Sequence, residues 1–148
     1  MILDMQSLFS DNQAITATAV STNVVDLGAT EAPVNRAAPT NPVLIKDLGK
    51  GEPVPLLIQV TEDFDALTSL NISIEIDTVE AFSSATEVIE VEVVLADLVA
   101  GYQTPIIWVP TKVNERFMRL NYTVTGSNPT VGTITAGLCM GVQTNVTG

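Results

Sequence analysis

Ser69-Leu70-Asn71-Ile72-Ser73-Ile74-Glu75-Ile76-Asp77 decides the fold class. In an extended chain, Leu70, Ile72, Ile74 and Ile76 project to one side. Asn71, Ser73, Glu75 and Asp77 project to the other. A period of two sustained this long marks a strand with one dry face and one wet face. Such a strand needs partners on its edges and a second apolar layer opposite its dry face.

Similar stretches lie on both sides of it. Residues 55–61, 87–95, 105–110, 116–125 and 130–142 read as further strands, rich in Val, Ile, Thr and aromatic residues whose stiff side chains suit a pleated surface. Turn chemistry separates them at Glu62-Asp63-Phe64-Asp65, Gly101, Lys112-Val113-Asn114-Glu115 and Gly126-Ser127-Asn128-Pro129. Residues 13–21 and 23–27 read as two more strands, the second ended by Gly28. Leu95, Leu98 and Val99 would share one face of a helical turn across 95–102. About eight strands with short turns and no βαβ rhythm predict an all-β fold, an antiparallel β-sandwich or jelly roll.

Two segments depart from this texture. The first ten residues, MILDMQSLFS, place Ile2, Leu3, Met5, Leu8 and Phe9 at a chain end. They read as a helical turn or an extended arm, tied down by the domain's own core or by a partner. Residues 28–55 hold five of the eight prolines, together with Gly28, Gly49 and Gly51. Proline removes donors and pushes its neighbours toward extended shapes, so this segment reads as a long irregular loop with one short strand near 43–46. Long loops in compact domains often carry function, and a binding or clasping role competes here with a tolerated surface excursion. The expected organisation is an N-terminal arm (1–10) and one domain (11–148) containing the loop 28–55.

Composition narrows the function. The chain has 148 residues, a net charge of −11, no histidine and one cysteine. A histidine-based triad or zinc site cannot be built, and one cysteine gives neither an intrachain disulfide nor a Cys-rich metal site. Cys139, within Leu138-Cys139-Met140, reads as a small buried hydrophobe. Glu90 and Glu92 share one strand face and read as its wet side, not as a glycosidase pair set across a cleft. Glu62-Asp63-Phe64-Asp65 lacks the glycine and trailing glutamate of a calcium loop and reads as an acidic turn. Asn71, Asn121 and Asn145 match the N-glycosylation pattern by chance in a chain that opens without a basic region and long apolar run. The expectation is a protein made and used without export, not an enzyme, with no cofactor or metal.

The acidity disfavours nucleic acid and anionic membrane as partners. Its bland reading is solubility; its sharper one is that copies repel until they meet a complementary surface. Trp108, within Ile106-Ile107-Trp108-Val109, reads first as core and second as an interface anchor. Arg116 and Arg119 bracket Phe117 and Met118, and pair with Glu75 or Glu90 or reach a partner.

The opening MILDMQSLFSDNQAITATAVSTNVVDLG, residues 1–28, resembles the start of a family of capsid cement (decoration) proteins of tailed bacteriophages, mostly short-tailed. Ala96-Asp97-Leu98-Val99-Ala100-Gly101-Tyr102, Arg116-Phe117-Met118-Arg119-Leu120-Asn121-Tyr122 and Gly132-Thr133-Ile134-Thr135-Ala136-Gly137 are similar to the same family in the same order. The resemblance spans nearly the whole chain and is weakest over 28–55. It implies a jelly-roll virion protein on the outer surface of an icosahedral head, present in the host cytoplasm during assembly. It also implies bridging of neighbouring major capsid protein subunits and stabilisation of the expanded shell. Self-association is expected, a homodimer favoured over a trimer. Capsid contacts are expected from Ile2, Leu3, Leu8 and Phe9 at the N-terminus and from Arg36, Lys46 and Lys50 in the loop, because these apolar or basic segments lie outside the predicted sandwich. The competing class is a carbohydrate-binding jelly-roll module on the virion surface, which wants aromatics exposed on a concave face; the chain has only seven aromatics.

Overall fold

The alternating stretch 69–77 lies within a strand, Leu67–Asp77, in a computed structural model that describes residues 3–28, 53–106, 108–110, 113 and 115–141. The strands in chain order are β1 (Leu3–Ala14), β2 (Ala19–Val20), β3 (Val25–Asp26), β4 (Leu56–Glu62), β5 (Leu67–Asp77), β6 (Thr86–Val94), β7 (Phe117–Gly126) and β8 (Thr133–Cys139). Among the described residues the only helical element is a 3₁₀ turn at Leu95–Asp97, where a helical turn was expected.

Two antiparallel sheets form a β-sandwich. A three-stranded sheet runs β1-β8-β4, and a five-stranded one runs β2-β7-β5-β6 with β3 also on β7. Register carries the sequence pattern directly into the core. Leu70, Ile72, Ile74 and Ile76 pair with Val124, Tyr122, Leu120 and Met118 of β7, and this dry row faces Phe9, Leu56, Ile58, Val60, Ile134 and Ala136 of the smaller sheet. Hydroxyls of Ser10 and Tyr122, both buried, meet at 2.8 Å and join the two sheets through the core. Burial raises the Tyr122 phenol above its ordinary pKa, against the opposing effect of the Ser10 bond.

Three expectations need correction. The expected strand 13–21 is split: β1 ends at Ala14, Ile15 donates its N–H to Gly132, and the chain crosses to the other sheet before β2. The β-branched run was legible, but the change of sheet was not. The described residues of 105–110 do not make a strand. They form an irregular segment with an isolated bridge at Trp108, because Pro105 and Pro110 cannot donate to a ladder. The N-terminal segment, as far as it is described, is not an arm outside the sandwich: β1 pairs along β8 from Leu3 to Ala14, through three register shifts. Residues 29–52, which include Arg36, Lys46, Lys50 and the expected short strand near 43–46, lie outside the described residues, as does Ile2.

The acidic turn is a clasp. Asp65 accepts hydrogen bonds from the Thr130 hydroxyl, the Thr130 N–H and the Val131 N–H, which hold its carboxyl below the usual range. Close by, Gly132 adopts φ +127°, and a Cβ there would run into the Phe64 ring. Asp77, buried at the end of β5, accepts from the N–H groups of Ser84 and Val79 and from the Thr78 hydroxyl, and its carboxyl is likewise held low. That ties the 78–85 loop down on the five-stranded sheet.

Candidate docking face

The outer face of the three-stranded sheet follows from its register. Ile134 and Ala136 of β8 point into the core, so Gly137 has its face turned outward, and so does Cys139 two residues on. Leu8 and Leu57 flank Gly137 from β1 and β4. Leu3 pairs with Cys139 on one side, and the Pro55 carbonyl accepts from the Cys139 N–H at 3.0 Å on the other. Pro55 in turn bridges to Trp108. One row therefore reads Leu3, Cys139, Pro55, Trp108, and its neighbour reads Leu8, Gly137, Leu57; Leu57, Gly137 and Cys139 are buried, Leu3, Leu8 and Pro55 half-buried, and Trp108 exposed.

Local chemistry explains why Trp108 is outside. Ile106 and Val109 are buried in the core, and the Val109 N–H donates to the Val54 carbonyl at 2.9 Å. Pinned on both sides, the segment turns the indole outward, 47% exposed. The first expectation for Trp108, core, is thus corrected to the second: an exposed aromatic. Gly137 lets β1 approach closely: a Cβ on it would sit 3.2 Å from the Ser7 oxygen and the Leu8 Cα, so β1 would have to give by a few tenths of an ångström.

The expected N-terminal contact residues separate on this face. Leu3 and Leu8 are half-buried on it. Phe9 is 1% exposed on the opposite side of the same strand and is core, so it has no surface to offer a partner. Met5 and Met140, missed by sequence reading, are 85% and 86% exposed, next to the row in sequence. Flexible thioethers suit an adaptable contact surface. Beside β1, Met5, Gln6, Leu8, Thr22, Asn23, Val24 and Glu80 line an open groove of about 460 Å³. Cys139 is a free, buried thiol, as its apolar neighbours suggested.

The opposite outer face, on the five-stranded sheet, is polar. Arg119 donates to Glu75 at 2.7 Å and stacks on Phe82, its guanidinium carbon 4.1 Å from the ring centroid. The pairing with Glu75 was one of the two expected. Arg116 pairs instead with Asp26 through two hydrogen bonds, at 2.9 and 2.8 Å. Glu87, Glu90 and Glu92 are exposed on β6. Asn71 and Asn121 are half-buried on central strands β5 and β7, and Asn145 lies outside the described residues. Among the described residues, no cluster of three or more His, Cys, Asp or Glu could hold a metal ion, and no helix is long and apolar enough to cross a membrane.

The Bbp16 family model matches residues 9–138, most of both sheets. The chain belongs to the Bbp16 family. This is a phage-related family, so the protein is phage-associated. No curated protein matches the chain. Within the Bbp16 match lie Pro55, Leu57, Trp108 and Gly137; Leu3, Leu8 and Cys139 fall outside it.

Proposed function

We propose that this Bbp16-family protein is a capsid decoration protein, a non-catalytic virion component. It binds the outer surface of the icosahedral head and bridges neighbouring major capsid protein subunits. The observation that carries the reading is Trp108, half exposed at one end of an apolar row on the three-stranded sheet, with half-buried Leu3 at the other end. An indole of this kind can anchor an interface at low entropic cost. The phage association of the family and the likeness of the chain to cement proteins support the same assignment. A protein that binds only the expanded lattice stabilises that lattice by mass action. In the reading, the protein reaches the shell from the host cytoplasm, and its copies pair as two-fold dimers.

The exposed indole also gives the carbohydrate-binding reading its one supporting observation. Co-sedimentation of the purified protein with undecorated expanded capsids, with unexpanded procapsids alongside, tests both. Saturable binding to expanded capsids alone is the expected result. Binding to neither, together with a hit on a glycan panel, would replace decoration by sugar recognition.

A further inference from the structure

β6 is the outermost strand of the five-stranded sheet, and its far side has no strand partner among the described residues. Its nine residues offer an unpaired edge of about 30 Å at ~3.3 Å per residue. On its inward face Val93 is buried, Val91 half-buried and Ile89 36% exposed, the cover thinning toward one end. On its outward face stand Glu90 and Glu92, opposite Ser73 and Asn71, with Glu87 beyond the bulge at Val88.

These two faces specify what can pair there. A second copy is a poor occupant. Antiparallel pairing of β6 with itself about its centre, with both dry faces on one side, sets Glu90 against Glu90 or Glu92 of the other copy, and like charges directly opposite destabilise a ladder. A strand with lysine or arginine on the outward face and aliphatic residues on the inward face meets both requirements. Its cations oppose the glutamates, and its apolar side chains extend the shelf formed by Val91 and Ile89.

We infer that β6 accepts, by edge addition, an extended segment of another protein in which basic and apolar residues alternate. Backbone hydrogen bonds would supply affinity, and the alternation would supply specificity. This surface is separate from the Trp108 face, so the two stand or fall independently.

The probe is a short synthetic peptide alternating lysine and valine, titrated into the full-length labelled protein while amide exchange is followed. Slowed exchange confined to Thr86–Val94 is expected. A peptide of the same composition with its lysines in one block, or one interrupted by a central proline, should bind about tenfold more weakly. Replacing Glu90→Lys together with Glu92→Lys should shift the preference by about tenfold toward a peptide alternating glutamate and valine, the size expected for two charged cross-strand pairs. Both positions are exposed, so folding should survive, and the dispersion of the spectrum checks it. Equal binding of the block or proline-interrupted peptide would reduce the effect to net charge and overturn the inference. Protection of β6 without any peptide, in a self-associated species, would also overturn it.

Discussion

The two outer faces of this sandwich are built on the same principle and end with opposite chemistry. On the three-stranded sheet, the outward positions toward the Cys139 end hold Leu3, Leu8, Leu57, Gly137, Cys139 and Pro55, continued by Trp108, while Gln59, Thr133 and Thr135 face outward toward the other end. On the five-stranded sheet the outward positions hold Asn71, Ser73, Glu75, Asn121, Arg119, Glu90 and Glu92. A sheet face that needs only water is satisfied by the second set. In the first, Leu57 and Cys139 are already covered, and the half-buried Leu3 and Leu8 and the exposed Trp108 are the side chains that forgo part of their transfer free energy when left wet. The contrast separates a face made to be covered from one made to stay in solvent.

The sharpest way to break the comparison is within β1, where neighbouring residues point to opposite sides. Phe9→Ala should cost about 3–5 kcal/mol of stability, as an emptied core position does, with capsid binding lost only through unfolding. Leu8→Ala should cost about 1 kcal/mol in a urea titration yet weaken capsid binding at a temperature where the domain stays folded. If both behaved alike, the distinction between core and docking residues along β1 would fail.

Next in size is Trp108. Trp108→Ala should weaken binding to expanded capsids by about 2 kcal/mol or more, roughly thirtyfold, with an unchanged unfolding midpoint. Glu90→Ala with Glu92→Ala should leave that binding intact. The reverse pattern would move the docking surface to the acidic face.

A smaller effect probes the polar side. Arg119→Ala removes both the Glu75 ion pair and the stacking on Phe82, and should cost about 1 kcal/mol by chemical denaturation. The smallest is a pH effect carried by Asp65 and Asp77. Their carboxyls are held below 3.8 by hydrogen bonds from Thr130 and Ser84, so the folded state favours the charged forms. The resulting stabilisation is complete above the ordinary carboxyl pKa and is lost as pH falls through the lowered values. Denaturation midpoints should therefore drop below about pH 4, and Asp65→Asn with Asp77→Asn should flatten that drop.

Much of the sandwich was legible because it rests on period-two alternation. Leu70 to Ile76 and their β7 partners are where the pattern put them. What escaped the sequence was anything that depends on which sheet a strand joins. Ile15 to Thr18 has strand composition but spans the crossing between sheets. Phe9 looked like a contact at a free end, whereas pairing of β1 with β8 turns it into the core. Trp108 looked buried among Ile106, Ile107 and Val109, yet it projects outward, because alternation in so short a run does not say which side faces in. Leu3 and Leu8 were found on apolarity alone. Their neighbours in space, Leu57 and Pro55, lie some fifty residues away in the chain, and no local pattern links them.

The hydroxyl contact between Ser10 and Tyr122 has a consequence for alignment. Apolar layers attract without direction, and one could slide over the other by a few ångströms at little loss of buried area. A hydroxyl pair in that layer opposes such a slide, since displacement leaves the desolvated Tyr122 oxygen without a partner, at a cost of about 1–3 kcal/mol, whereas Ser10 keeps its bond to Gln13. One polar contact thus selects a single lateral position for two sheets that grease alone would leave free to drift, and it keeps the Trp108 row and β6 at a constant separation.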